Sequence, residues 1–306
     1  MSIRATATSP TELIDAGRAV RAARVDSPWR IATRRFLRHR LATGGLIVSV
    51  LLILCALFAP ALAPHDPLQI SILEKFASPM TNGFVLGGDE LGRDLVSRLL
   101  FAGRISLLVG FAAMAVTVIV GTLVGLISGF YGGRVDAFLM RFTDALLSFP
   151  TVFLLLVLAA FVGASLLSIT LIIGLTSWME LARILRNQTL SLREQEFVQA
   201  ARSLGASNPW LISRHLLPNS LGPIMVAATL NVANAVLAES YISDLGYGIQ
   251  PPEASWGNML NNAQSYFTEA PWIALFPGLL ITLTVASFNF LGDGLRDALD
   301  PRTKRV

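Results

Sequence analysis

The sequence predicts an all-α membrane protein with six transmembrane helices. Charged residues make up only 14% of the 306 residues, whereas a soluble domain has about 25%. The chain also contains several uncharged apolar stretches of about 20 residues, the length of a helix that crosses a hydrocarbon core of ~30 Å. We expect a six-helix domain over residues 41–293, between an N-terminal tail (1–40) and a C-terminal tail (294–306).

The uncharged stretches define the six predicted spans. The stretch 145–179 is too long for one helix, so we divide it near Gly163-Ala164-Ser165 into a hairpin of two spans. The predicted spans are residues 41–63, 105–130, 137–161, 166–186, 219–240 and 271–292.

The basic residues predict the orientation of these spans. With both termini in the cytoplasm, only Lys75, Arg93, Arg98 and Arg104 of the 24 Lys and Arg residues fall outside. Because cytoplasmic loops carry an excess of Lys and Arg, we expect a multi-pass membrane protein with both termini in the cytoplasm. The basic segment 29–41 is expected to form a helix on the inner leaflet; a disordered tail is the alternative, and disorder is expected for residues 1–25.

Residue usage excludes several kinds of site. Neither lysine, Lys75 or Lys304, lies in a G-x-x-x-x-G-K-[ST] sequence, so the chain has no Walker loop for ATP. The single cysteine, Cys55, and three histidines spread over both sides of the membrane leave no metal site. We expect no enzyme activity, no cofactor and no nucleic-acid partner. A surface ion-pair network is expected from a charged cluster in the first outer loop, Asp89, Glu90, Arg93 and Asp94.

The second span carries a ridge of small residues at four-residue spacing. The ridge continues from Ala113 and Thr117 through Gly121, Gly125 and Gly129. Helices in lipid associate by close backbone approach, so the ridge predicts a tight helix contact. A general tolerance of glycine in membrane helices is the alternative.

The fifth span is the most polar of the six. Asn231 and Asn234 lie three residues apart, Glu239 and Ser240 follow near the outer end, and Asp244 lies just beyond it. Polar side chains in a membrane either bond between helices or line a water-filled path. We take these five residues as candidates for a substrate path, with interhelical bonding as the alternative.

The loop over residues 187–218 contains a short amphipathic helix. Its apolar positions recur with a spacing near 3.6 and its charges lie on the opposite face, and Gly205 ends it as a C-terminal glycine does. A helix held in this way between two spans is well placed to move with a soluble partner. The apolar positions are Phe197, Val198, Ala201 and Leu204.

The same loop resembles the E-A-A-x3-G-x9-I-x-L-P motif of permease subunits of binding-protein-dependent ABC importers. The matching positions are Gln199, Ala200, Ala201, Gly205, Leu217 and Pro218. Gln199 stands where the family usually has Glu, and His215 stands where the general pattern has Ile.

Further stretches are similar to the C-type permease subunit of dipeptide, oligopeptide and nickel importers, in order from about residue 30 to 302. A histidine before the Leu-Pro pair is usual in that subfamily, so His215 agrees with it. Near the fifth span, Asp244 departs from the subfamily, which usually has Phe at this position. The similar stretches are Leu86-Gly-Gly-Asp-Glu-Leu-Gly-Arg-Asp94, Arg104-Ile-Ser-Leu-Leu108, Ser191-Leu-Arg-Glu194, Arg214-His-Leu-Leu-Pro-Asn219, Gln250-Pro-Pro252, Ser255-Trp-Gly-Asn-Met259 and Gly292-Asp-Gly-Leu-Arg-Asp-Ala-Leu-Asp-Pro301.

The resemblance implies the type I ABC importer permease fold, a location in the bacterial cytoplasmic (inner) membrane, and a subunit that forms half of a path for peptides or a similar small solute. It implies a second homologous permease as heterodimer partner, an extracytoplasmic binding protein, and two cytoplasmic ATPase subunits or domains that bind ATP and Mg. With Gln in place of Glu at 199, we expect coupling to the ATPase to persist. The residues implied in coupling are Glu196, Gln199, Ala200, Ala201, Gly205, His215, Leu217 and Pro218.

A stand-alone secondary transporter or channel is the alternative function. It needs an intramembrane ion or proton relay, but the uncharged cores of the spans contain no Asp, Glu, Lys or Arg and show no inverted repeat. A membrane-embedded enzyme is less favoured still, because no span contains a Ser/His or paired-carboxylate arrangement. The sequence leaves the identity of the substrate open.

Overall fold

The computed structural model describes residues 28–261 and 263–299, and it is helical there, with no β-strand in those ranges. Residues 1–25, Lys304 and most of the C-terminal tail lie outside the described residues. The longer helices are α1 (Pro28–Arg38), α2 (Arg40–Leu57), α3 (Leu95–Tyr131), α4 (Gly133–Leu147), α5 (Thr151–Val162), α6 (Leu166–Arg193), α7 (Glu196–Ser203), α8 (Leu221–Asp244) and α9 (Trp272–Leu299).

Five helices, α2, α3, α6, α8 and α9, are each long and apolar enough to cross a membrane. Helices α4 and α5 qualify only as a pair, and they are bent by 86° relative to each other. The predicted third span, residues 137–161, is therefore wrong as one straight helix. Pro150 explains the break, because proline lacks an N–H and excludes the helical conformation from the residue before it. The predicted turn at residues 163–165 is confirmed, with Gly163 at φ +86°.

Four of the spanning helices, α3, α6, α8 and α9, extend at least four residues beyond a predicted limit, and α8 ends at Asp244 rather than at residue 240. α3 begins at Leu95 rather than at residue 105, because the Asp94 carboxylate accepts a hydrogen bond from the backbone N–H of Ser97 at 2.8 Å and caps the helix. α6 continues to Arg193 and α9 to Leu299. The spans are predicted from uncharged apolar stretches, which mark only the apolar part of a helix. Polar turns at the ends of a helix are therefore left out of the predicted limits.

The predicted tight helix contact is confirmed, and the partner of the ridge is α6. A Cβ atom added at Gly121 would lie 2.9 Å from the carbonyl oxygen of Trp178, and one added at Gly125 would lie 2.7 Å from that of Ala182. At Gly129 the nearest atom, at 2.6 Å, is a side-chain carbon of α6. Only hydrogen fits at these three positions, so the glycines set the distance between the two helices.

Two loops, residues 63–94 and 245–271, cover one end of the bundle, which we call the loop end. The backbone N–H of His65 donates to the Ser97 hydroxyl at 3.1 Å, and the Trp272 indole N–H donates to the carbonyl of Gly88 at 3.1 Å. The first loop is thereby fixed to the starts of α3 and α9. At the opposite end of the bundle, α1 lies against α9, where the Phe36 ring covers Gly294. The expected location of α1 on the inner lipid leaflet stays a prediction.

The charged cluster of the first loop is an ion-pair network, as predicted, but it is buried rather than on the surface. Asp89 is only 1% exposed, and its carboxylate accepts from Arg93 Nε at 2.7 Å and from Arg98. Burial by itself raises the pKa of Asp89, but the charges of Arg98 and Arg93 and a backbone N–H of Arg93 outweigh it, so the pKa of this carboxyl is lowered. Because Arg98 belongs to α3, the first loop folds back onto the start of this helix and encloses the Asp89–Arg98 ion pair.

We predict that Gly125→Ala destabilises the protein by about 1–3 kcal/mol, the usual cost of adding a methyl group to a filled contact. The measurement is the thermal unfolding midpoint in detergent. Gly44→Ala is the matched control, because a Cβ at Gly44 meets no atom within 4 Å. Equal midpoints for the two variants would contradict the assignment of the ridge.

We predict that Asp89→Ala costs about 3 kcal/mol or more, because it leaves two buried guanidinium groups without their central partner. Asp144→Ala is the control, since it breaks the Arg183–Asp144 pair, which is half exposed and worth about 0–1 kcal/mol. Denaturant unfolding of both variants measures the difference. Similar losses in the two variants would show that burial of Asp89 has no energetic importance.

Candidate functional site

Helix α7 is the short amphipathic helix predicted from the sequence, and its end has a defined geometry. Gly205 adopts φ +87°, and its N–H donates to the carbonyl of Arg202 at 3.0 Å. The N–H of Ala206 donates to the carbonyl of Ala201 at 3.1 Å. These two bonds form a Schellman motif, in which glycine supplies the left-handed residue. The predicted role of Gly205 as the helix stop is therefore confirmed.

One face of α7 is seated on the end of α3. Val198 is fully buried in a cluster with Phe130 of α3 and with Leu211 and Leu216 of the segment that follows α7. The Arg202 guanidinium lies over the Phe130 ring at 5.4 Å, within the range of a cation–π contact. Movement of α7 is therefore resisted by apolar contacts with α3.

Arg193, the last residue of α6, joins the end of α6 to the end of α3. Its Nη1 donates to the carbonyl of Phe130 at 3.2 Å and more weakly to that of Gly129 at 3.5 Å. These carbonyls belong to the last turn of α3, where no intrahelical N–H is available for them. Arg193 thereby caps α3 immediately before the chain enters α7.

The opposite face of α7 is open and partly apolar. Leu204 is 89% exposed and Phe197 is 43% exposed. Of the four apolar positions predicted from the spacing, Val198 and Ala201 pack against the bundle. The other two stay exposed, because α7 has only two turns and its contact with the bundle is small. Glu196, Gln199 and Ala200 are also exposed, and the Gln199 amide donates to Glu194 at 3.3 Å.

The segment after α7 adds an aromatic group to this open surface. The His215 ring lies 5.6 Å from the ring of Phe197 and 5.0 Å from that of Trp210, which is itself exposed. Residues Ile212–Leu216 form one turn of π-helix that ends two residues before Pro218. Because proline has no N–H, it interrupts the regular helical hydrogen bonding here. Leu217, next to Pro218, packs with the apolar cluster under α7. The motif residues of the loop are thus brought together in one place.

The five residues predicted to line a substrate path on α8 do not share one environment. Asn234 is exposed on the side of α8, whereas the Asn231 amide donates to the carbonyl of Ala227 at 2.8 Å within the helix. Asp244 is partly exposed, at the end of α8. Glu239 and Ser240 are buried inside the chain. The prediction that these two line an open path is corrected here, because neighbouring helix and loop residues cover them.

Sequence reasoning missed several residues that build these sites. Phe130, Arg193 and Trp210 form the seat and the surface of α7, and Ser106 and Ser255 contact Glu239. Arg193, Ser106 and Ser255 all lie in stretches that the family resemblance covers, but nothing in their spacing shows which groups they contact. The described residues contain no cluster of three or more His, Cys, Asp or Glu side chains arranged for a metal ion.

Comparison with known proteins matches this arrangement to one family. The family model described as "Binding-protein-dependent transport system inner membrane component" matches residues 121–305. The model described as "N-terminal TM domain of oligopeptide transport permease C" matches residues 27–79. Together the two models cover α2, the last turns of α3, and the chain from α4 through α7 to α9.

Relatives of similar length support the same assignment. The oligopeptide transport system permease protein OppC of Escherichia coli K12 is 44% identical over 280 residues, 91% of this chain and 92% of its own. The dipeptide transport system permease protein DppC of Alkalihalophilus pseudofirmus is 40% identical over 278 residues, 91% of each chain. OppC of Haemophilus influenzae is 41% identical over 279 residues, 91% of this chain and 90% of its own. The chain therefore belongs to the family of inner membrane permease components of binding-protein-dependent ABC import systems.

Proposed function

We propose that this chain forms one half of the translocation path of a peptide importer and that it receives the work of ATP hydrolysis through α7. The observation that carries the proposal is the two-sided construction of α7. One face is locked to the end of α3, while the other presents exposed apolar side chains to a soluble partner. The exposed Leu204 side chain, next to the Schellman turn, is not buried by the helix bundle. It is suited to insert into an apolar pocket on an ATPase.

The contacts around α7 supply a route for the motion. A displacement of α7 acts on Phe130 through Val198 and Arg202, and on the end of α6 through Arg193. Because α3 and α6 are in backbone contact along the glycine ridge, the two helices respond as one body. Closure of the ATPases would in this way tilt the helices that border the path and alternate its access between the two sides.

ATP and Mg are assigned to the partner ATPases, of which the complex holds two subunits or domains. Lys75 and Lys304 both lie outside a Walker sequence, so this chain contributes no phosphate-binding loop. The family implies ATPase and binding-protein partners, and we assign the remaining half of the path to a second, homologous permease. Asn234, exposed on α8, is well placed to face that second permease or the path between the two.

The substrate class follows from the relatives. Their names specify dipeptide and oligopeptide transport, and identity is spread over nine-tenths of the chain rather than confined to one motif. We therefore assign short peptides as the substrate. Gln199, exposed on α7, keeps hydrogen-bonding capacity toward the ATPase without the charge of the usual Glu.

The orientation of the chain is part of the same proposal. The α7 end faces the cytoplasm, together with both termini, and the loop end faces outward toward the binding protein. The excess of arginine near α1 and α7 supports this orientation.

We predict that Leu204→Glu weakens docking of the ATPases by at least about tenfold, because a charge replaces an apolar anchor at the interface. Co-purification of the ATPases with the tagged permease measures docking. Leu73→Glu is the matched control, since Leu73 is 98% exposed at the opposite, loop end of the molecule. Loss of the ATPases in both variants, or in neither, would contradict α7 as the docking site.

We predict that single cysteines at positions 75 and 204 react with an impermeant maleimide from opposite sides of the membrane. The variants are Lys75→Cys and Leu204→Cys in a Cys55→Ser background, which removes the chain's single native thiol. Position 75 should react in intact spheroplasts and position 204 in inside-out vesicles. Labelling of both positions from one side would overturn the orientation.

A further inference from the structure

Glu239 is a fully buried carboxylate near the loop end of α8. In the part of the chain that the structure describes, no Lys, Arg or His pairs with it. Burying a carboxylate is costly unless hydrogen bonds compensate it. The group therefore has a structural purpose that the transport mechanism above does not use.

Three serine hydroxyls surround this carboxylate. Ser243 donates to Oε1 at 2.7 Å and Ser106 donates to Oε2 at 3.1 Å, and the hydroxyl of Ser255 lies beside the same carboxyl. Ser243 belongs to α8, Ser106 to α3 and Ser255 to the second loop. Glu239 thus connects two spanning helices and a loop through a single acceptor group.

Each of the three serines also holds the backbone of the loop. The Ser243 hydroxyl accepts from the N–H of Ile249, that of Ser106 from Trp256 and that of Ser255 from Asn258, each at 3.1 Å. All three hydroxyl oxygens accept from the loop, while the hydroxyl protons of Ser106 and Ser243 bond to Glu239. A buried network of this kind is stabilising only when all its members are satisfied, so the loop backbone depends on the carboxylate.

The loop approaches α8 more closely than any side chain would allow. A Cβ added at Gly257 would lie 2.5 Å from the Cα of Ser240, and one at Gly248 would overlap the Ser243 hydroxyl. The loop stem, residues 255–257, is buried, while the tip, residues 250–253, is exposed. Pro252 and Glu253 of the tip also line a cavity of about 900 Å³ between the loop and the ends of α2 and α3.

We propose that Glu239 is a positioning residue for substrate delivery. Through its three serines the carboxylate fixes the stem of the second loop, and the stem holds the tip at the outer mouth of the path, where the loaded binding protein docks. The inference rests on the proposed function, which places the loop end outside the cell. Glu239 acts through the loop and contacts no transported molecule.

The test uses the whole complex, the permease pair with its ATPases in proteoliposomes, and the binding protein loaded from a casein digest of short peptides. ATP hydrolysis is followed against the concentration of loaded binding protein. In Glu239→Gln an amide N–H group replaces one acceptor oxygen. This N–H then faces a serine O–H donor, so one hydrogen bond is lost. The half-saturating concentration should rise about tenfold, the order expected for one lost buried hydrogen bond, with the maximal rate within about twofold of wild type.

A spectroscopic reading separates positioning from a general loss of stability. A spin label on Glu253→Cys in the Cys55→Ser background should become more mobile when Glu239→Gln is added. Glu269→Gln is the matched control, because it makes the same chemical change at an exposed position of the same loop. The control should alter neither the half-saturating concentration nor the label spectrum.

Unchanged half-saturation together with an unchanged label spectrum would overturn the inference. A fall in the maximal rate at unchanged half-saturation would overturn it as well, because it would place Glu239 in the transport step. If Glu239→Gln does not assemble, Ser255→Ala is tested by the same two measurements, with Ser287→Ala as its control. Ser287 is also buried, but among the described residues its hydroxyl bonds only to the carbonyl of Leu283 in its own helix. If loaded binding protein fails to stimulate even the wild-type complex, the proposed function fails, and the label alone tests the stem.

Discussion

The close approach of α3 and α6 is the constraint on which the rest of the structure depends. In lipid no hydrophobic force draws two apolar helices together, so they associate only where their backbones can make extensive van der Waals contact. Gly121, Gly125 and Gly129 provide that surface on α3, and Gly174 provides it in return on α6, where a Cβ would lie 2.6 Å from Val116. The Thr117 hydroxyl, which donates to the Gly174 carbonyl at 3.1 Å, adds a polar bond to the same contact.

Both functional regions are built on the two ends of α3, which is the longest described helix. At one end, Phe130 forms the seat of α7 and the last carbonyls accept from Arg193. At the other end, Arg98 pairs with Asp89 and Ser106 bonds to Glu239. A rigid helix with fixed contacts at both ends is a physical route by which the ATPase side and the outer loops could influence each other. The ridge against α6 keeps the helix from bending independently.

The loop end shows how irregular backbone is stabilised next to a membrane. Loop N–H and C=O groups near hydrocarbon need internal partners, because water is not available to them. Asp89 supplies acceptors to the backbone N–H groups of Leu91 and Arg93 as well as to two guanidinium groups. Glu239 stabilises the second loop indirectly, through three serines whose hydroxyls accept hydrogen bonds from backbone N–H groups of that loop. Two buried carboxylates therefore organise the two loops.

The sequence by itself determined the class of fold, five of the six spans, the glycine contact, the α7 helix with its stop at Gly205, and the family. These features arise from local physics: the length of an apolar stretch, a spacing of 3.6 or 4 residues, and the conformational freedom of glycine. The tertiary structure alone decided that Leu204 and Phe197 face outward, that the Asp89 network is enclosed, and that Glu239 is covered by Ser106 and Ser255. Each of these depends on residues far apart in the chain meeting at one place, and burial at such a place is a property of the packed helices rather than of any local pattern.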